Sequence, residues 1–403
     1  MRPILVLTYW SYKDALIQSY TLPYIKIITK VAKRKVYLVC LEQANQRANE
    51  QERIEIQKEL NSENIYLIFL EYNKFGLKQG FLWISYITKL ISLILLKRIE
   101  YIHSWCTPAG AIGYILSVIT GKPLILDSYE PHADSMLENG TWSKTSNAYR
   151  ILAYLEKKQT ERAIYYIGVA SGMKEYAQKI YNVKIPDNQF FIKPACTDLK
   201  KFEYHEVPFL LEQELEFEHK IVCVYAGKLG GIYLDIEVFD FIKECYKHWG
   251  NQFRFIMLNN TSESEILGYI QKVGIPKEII VQRFVPHANI PEYLSLASFA
   301  INPVKPIPSK RYCTPIKDGE YWAMGLPVVI TNNISDDSNI IDENNIGYVL
   351  KDLNIVEYQN AIEKIEQLLN EDRSSLRHKI RKIAEKHRSF KIAEDVYQHI
   401  YGH

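Results

Sequence analysis

Short apolar runs alternate with amphipathic stretches along most of this chain, and that alternation predicts strand–helix–strand units throughout. In the first half, β-branched and aliphatic runs place strands at Ile4–Thr8, Val36–Cys40, Ile65–Phe69, Tyr101–His103, Leu124–Asp127 and Tyr166–Val169. Helices lie between them, notably Leu22–Ala32, Ala109–Thr120 and Ser146–Arg162. A second series starts after the polar stretch 202–220. It predicts strands Ile221–Tyr225, Phe253–Leu258, Ile279–Gln282, Phe299–Pro303, Val328–Thr331 and Gly347–Leu350, with helices Leu234–Trp249, Glu263–Val273, Ile290–Ala297 and Ile316–Met324. Continuous apolar strands alternating with helices belong in parallel sheets covered on both faces. Two such series predict an α/β chain of two facing, doubly wound, Rossmann-like domains. Ligands are then expected beyond the strand carboxyl ends, in the cleft between the domains. The expected boundaries are 1–205 and 206–385, with 386–403 a helix returning to the first domain. The tail from Val356 reads as two charged amphipathic helices.

At 403 residues the chain has enough length for two or three cores. Its net charge of +2 carries no bulk signal for nucleic acid. The charge is uneven: residues 1–205 are net +8 and the remainder net −6. A basic first half suits an anionic partner, a diphosphate or an acidic membrane surface, although scattered surface charge gives the same count. Six separated cysteines with no CxxC pair argue against a structural zinc site or disulfide scaffold and suit a reducing cytosol. The first apolar run is too short for a signal peptide and reads as a buried strand. The longest run, Phe81–Leu96, is interrupted by Lys89 and falls short of the ~20 residues of a bilayer span. It reads as a helix buried on most sides, with a helix lying on a membrane as the alternative. Lys26, Lys30, Lys33, Arg34 and Lys35 make the first helix cationic, and the first three share a face that could dock on anionic lipid or be simply solvated.

The segment TPIKDGEYWAMGLPVVITNN, Thr314–Asn333, carries the clearest chemistry. Pro315 suits a helix start, and Lys317 and Glu320, three apart, share one helix face. A cation and a carboxylate at a helix N-terminus beside a parallel strand suit a ligand with an anionic phosphate and sugar hydroxyls. About 85 residues upstream lies YAGKLGGIYLD, with Gly227, Lys228, Gly230 and Gly231. Such glycines let backbone N–H groups approach a diphosphate that Lys228 neutralises. A Gly-Gly pair alone marks only a turn; the two segments together are the stronger sign. In the first half, Leu124–Trp142 ends a strand at Asp127 and continues into a polar loop with Glu130, His132, Asp134 and Glu138. The loop Thr8–Lys13 is aromatic, so Tyr9, Trp10 and Tyr12 either stack on sugar rings or plug the cleft, while Lys13 could meet an acceptor phosphate. His103 sits in an apolar strand and reads as structural.

These motifs and their layout resemble the GT-B glycosyltransferases, specifically the family 4 retaining enzymes, over nearly the whole chain and most strongly from Tyr225 to Leu350. The resemblance implies that Glu320 binds the ribose hydroxyls of a donor nucleotide, where the alternative is an exposed glutamate paired with Lys317. It implies that His132, beside Glu130 and Asp127, lies near the donor sugar and positions it. Two departures stand out: Tyr312 occupies the place of the family's sugar-binding glutamate, and Tyr233 stands near that of a second phosphate-loop cation. Lys317 is then expected to take the phosphate role. The implied reaction moves a sugar from a nucleotide-diphosphate donor to a hydroxyl of a glycan or lipid-linked acceptor. His132, Lys228 and Glu130 are its catalytic candidates, Gly227, Gly230, Gly231, Lys317 and Glu320 bind the donor, and Tyr9, Lys13, Asp127 and Tyr312 contact sugar or acceptor. No Asp-x-Asp motif stands at a strand end, so no cofactor or essential metal is expected. A cytoplasmic enzyme, peripheral on an anionic membrane, fits this reading. A nucleotide-sugar epimerase of the same fold, using Asp127, Glu130 and Glu138, and a non-catalytic binding homologue are its rivals.

Overall fold

Thirteen strands form two wholly parallel sheets in a computed structural model that describes residues 1–72, 77–206 and 208–402, with side chains of 77–81 excepted. The Phe81 side chain that opens the long apolar run, Val207 in the polar stretch, and His403 at the end of the expected returning helix lie outside the described residues. The first sheet contains β1 (Ile4–Leu7), β2 (Val36–Glu42), β3 (Ile65–Glu71), β4 (Tyr101–Trp105), β5 (Leu124–Ser128), β6 (Ala163–Gly168) and β7 (Phe190–Ile192), in the order β3-β2-β1-β4-β5-β6-β7. The second contains β8 (Ile221–Tyr225), β9 (Phe253–Leu258), β10 (Ile280–Arg283), β11 (Phe299–Asn302), β12 (Val328–Thr331) and β13 (Gly347–Leu350), in the order β10-β9-β8-β11-β12-β13. Both orders reverse direction beside the first strand of the set, the place where doubly wound sheets open for ligands. Strands of Val, Ile, Leu and Phe, buried along nearly their whole length in β1, β8, β11 and β12, require this two-sided cover.

The chain divides into one unit of Met1–Pro194 with the residues from Phe390 onward, and a second of Ala195–Ser389. Three helices, not two, form the tail: Ile355–Leu369, Arg373–Arg388 and Phe390–Tyr401. The first break is made by Asp372, whose carboxylate accepts from the Ser375 amide and starts a new helix. The second is the extended Ser389, which bridges Thr197. Helix Phe390–Tyr401 packs on Leu22–Ala32 within the first unit.

Two further expectations are corrected. Helix Leu77–Leu96 buries Leu90 and Ile94 but leaves Ile84 66%, Leu95 62% and Leu96 80% exposed, because its principal neighbour is the single helix Thr107–Thr120. Among the described residues, no helix is long and apolar enough to cross a membrane. Nor is the first helix a free cationic face: Lys26 pairs with Glu63 at 2.7 Å, Arg34 is buried against Glu100, and Lys33 has left the helix at φ 50°.

The second unit encloses a charged cluster. Arg388 donates to Asp337 and lies 5.1 Å from the Trp322 ring centre. Beside it Asp318, fully buried, accepts from Asn302 Nδ2 at 2.7 Å. Burial, and then the neighbouring Asp337, hold the Asp318 carboxyl well above the ordinary carboxylate range. The folded chain therefore keeps a proton that the unfolded chain releases above about pH 4, so stability falls as pH rises through that window. Urea unfolding of wild type between pH 5 and pH 8 should show this fall, and Asp318→Asn should flatten it. Arg388→Met, which strands Asp337, should cost about 3–5 kcal/mol.

Candidate functional site

In the second unit, loops at the carboxyl ends of β8, β9 and β10 are tied together by side chains. Asn259, just after β9, donates Nδ2 to the Gly227 carbonyl at 3.0 Å and receives Gln282 Nε2 from β10 at 3.0 Å. Gly227 has to be glycine for a packing reason: a Cβ there would lie 2.4 Å from Lys317 Cε and 2.7 Å from the Tyr225 hydroxyl. Gly230 and Gly231 take φ of 72° and 64°, consecutive left-handed positions that turn the loop back towards β11. Lys228 is exposed, and its carbonyl accepts from the Tyr225 hydroxyl at 2.6 Å.

Helix Ile316–Ala323 delivers the other half of the site. Lys317 reaches across Gly227, donates to the Tyr233 hydroxyl at 2.9 Å, and sits 4.3 Å from that ring's centre. Tyr233, which stands in place of an expected cation, thus holds the lysine that was expected to take that cation's role. Glu320 is 8% exposed and accepts from His287 Nε2 at 2.9 Å, so the alternative of an exposed Lys317–Glu320 pair is overturned. The structure brings Lys317 over Gly227, in the loop that also carries Lys228, Gly230 and Gly231, while Glu320, one turn along the same helix, meets His287. Tyr312, half-buried, ends the 3-10 turn Pro308–Tyr312 just before this helix.

The first unit places its candidates apart. His132 opens helix His132–Glu138, and its amide donates to the buried Glu156 at 2.8 Å. Its ring Nδ1 lies 3.3 Å from Glu130 Oε1, and Ser135 holds the other Glu130 oxygen at 2.7 Å. Tyr9 meets Tyr72 edge-on at 5.8 Å, and burial raises its phenol above the usual range. Lys13 is already paired with Glu52 at 2.6 Å. Asp127 is corrected: it is 1% exposed and cannot meet a sugar in this arrangement. Strand β5 continues one residue past it, so its carboxylate points into an aromatic interior, 3.2 Å from Lys193 Nζ and bonded by the Tyr397 hydroxyl at 3.2 Å. Lys193, fully buried, lies 3.8 Å from the Tyr24 ring centre. His103 accepts from Trp105 Nε1 and meets the Tyr401 hydroxyl at 2.8 Å; burial, then Lys193, push its imidazole down to about 3, which keeps it neutral.

Residues 306–400 match the family model described as the Glucosyltransferase 3-like, C-terminal domain, the stretch that carries Lys317 and Glu320. The chain is a glycosyltransferase of the GT-B fold. Solved structures agree on the architecture. Anabaena HepE in complex with UDP superimposes with a TM-score of 0.72 over 100% of both chains at 13% identity. A glycosyltransferase from Rickettsia africae gives 0.70 over 99% of this chain and 97% of that one at 14% identity. Sucrose-phosphate synthase from Thermosynechococcus elongatus gives 0.72 over 100% and 98% at 13% identity. No curated protein sequence matches this glycosyltransferase.

Sequence reasoning passed over Asn259, Gln282, His287 and Lys193. The first three are polar residues at or just past strand ends, the same signal that singled out His132. Lys193 was a lone cation after Phe190-Phe191-Ile192, a sign of a buried charge needing a partner. Lys193→Met in this glycosyltransferase should lose about 3–5 kcal/mol in denaturant unfolding, because Asp127 is left buried and unpaired. The double variant Lys193→Met/Asp127→Asn should recover much of that loss.

Proposed function

We propose that this glycosyltransferase takes its sugar from a nucleoside-diphosphate sugar held by the second unit and passes it, with retained anomeric configuration, to a hydroxyl of a glycan or lipid-linked glycan held by the first. One observation carries the reading: Lys317 lies over Gly227 at a helix N-terminus and strand end, with no carboxylate in ion-pair reach among the described residues. Lys317 and the exposed Lys228 stabilise charge growing on the leaving diphosphate, together with the amides of the glycine loop. The charge balance is met by lysines, so the reaction needs no divalent metal. Glu320, held in a nearly buried position, accepts from the ribose hydroxyls. His132, oriented by Glu130, positions sugar and acceptor hydroxyl, and the departing diphosphate oxygen takes the acceptor proton. HepE, of the same fold, is described in complex with UDP-glucose, which makes a uridine donor the first to try.

In calorimetric titration with UDP, GDP and ADP, one nucleotide should bind without metal, and added Mg²⁺ should change the affinity little. Lys317→Ala and Glu320→Ala should each weaken binding about 10- to 100-fold. Absence of binding to wild type would favour a non-catalytic homologue, and a donor sugar epimerised without acceptor would favour an epimerase.

Contact with an anionic membrane belongs to the same proposal, through a different surface from the first helix. Exposed Ile84, Leu95, Leu96, Val118 and Ile119 on two packed helices stand near Lys89, Lys97, Arg98 and Lys122. The protein should float with vesicles containing phosphatidylglycerol and not with neutral ones, and Leu95→Glu/Leu96→Glu should remove the binding.

A further inference from the structure

We infer that His287 is a positioning residue for the Glu320 carboxylate and that Lys201 fixes its tautomer; the inference rests on the donor site proposed above. Three segments distant in sequence supply the chain of contacts. Lys201 Nζ lies 2.7 Å from His287 Nδ1, and His287 Nε2 lies 2.9 Å from Glu320 Oε1. An ammonium has only protons to give, so Nδ1 must accept from Lys201. The ring proton then sits on Nε2 and points at Glu320. A lysine on one nitrogen thereby makes the other a donor.

The consequence falls on the carboxylate. His287 occupies Oε1, and the polar contacts of Glu320 among the described residues leave Oε2 open. Glu320 is 8% exposed, and a carboxylate in that position with both oxygens unpartnered would be costly and would turn about its last torsion. Tethering Oε1 locks that torsion and presents Oε2 for a ribose hydroxyl. The ring itself is steadied by Phe202, a fully enclosed side chain 5.6 Å away, centre to centre. A stabilising role alone does not account for the arrangement, because the His287 side chain is 45% exposed and a polar contact so open to water contributes little to folding. His287 also stands just past β10, on the carboxyl-end edge of the sheet where the rest of the site is assembled.

The test compares wild type, His287→Ala, His287→Gln, His287→Asn and Lys201→Met by titration with UDP, with GDP and ADP in parallel, and by thermal unfolding. His287→Ala should weaken nucleotide binding about 10-fold with little change in Tm. His287→Gln, whose amide nitrogen can reach the place of Nε2, should restore most of it, and the shorter Asn should not. Nitrogen-15 spectra of histidine-labelled protein should show a single Nε2–H tautomer for His287, replaced by a mixture in Lys201→Met. Wild-type affinity in His287→Ala, or an Nδ1–H tautomer in wild type, overturns the inference. If wild type binds none of the three nucleotides, the donor-site reading fails instead, and the tautomer spectrum still decides the Lys201–His287 arrangement.

Discussion

The rotation of helix Ile316–Ala323 about its own axis is the constraint from which the proposed donor site follows. Asp318 is driven into the interior beside Asp337 and Arg388, and Gly319 leaves no room for more, since a Cβ there would lie 2.3 Å from Thr197 Oγ1. With those two residues committed inwards, the helical repeat leaves Lys317 and Glu320 on the remaining face. One then falls over the glycine loop and the other beside His287. A buried charged cluster contributes little net stability by itself. Here it indexes a short helix whose two outward residues have to arrive at separate places.

Most of the second unit was legible in the sequence because its strands are short and apolar, and most of their residues are buried. Ile221–Tyr225, Phe253–Leu258, Val328–Thr331 and Gly347–Leu350 end where the apolar pattern ends. The tail was harder to read: its second break at Ser389 depends on a bridge to Thr197, nearly two hundred residues away, which no local pattern encodes. Lys317 and Glu320 were visible as a spaced pair on one helix face. Their partners were not, because Tyr233 and His287 are brought in by the order of strands, and a tyrosine or histidine in a loop has many other uses.

The first unit shows the opposite failure. Asp127 had the sequence position of a site residue, at the end of a strand and ahead of a polar loop. What removed it from the surface was Lys193, just past β7 two strands away, and Tyr397 from the last helix. Polar residues near strand ends are therefore ambiguous until the buried cations and phenols of the same unit have been paired off. Glu156 makes the same point, since it spends its oxygens on the amides of His132 and Ala133 and the Thr107 hydroxyl, and so places the candidate histidine without being near it in sequence.

Because helix Phe390–Tyr401 completes the first unit, the order of synthesis and the order of folding do not match. Tyr397 and Tyr401, the partners of Asp127 and His103, are made only after the whole second unit. At roughly 5–20 residues per second, a nascent first unit waits on the order of ten to forty seconds while the second is translated. During that interval its interior Lys193–Asp127 pair lacks one of its walls. The second unit, contiguous in sequence, has no such wait. A chain of this layout is thus most vulnerable to aggregation while the second unit is being translated, in the unit that emerged first but is not yet closed.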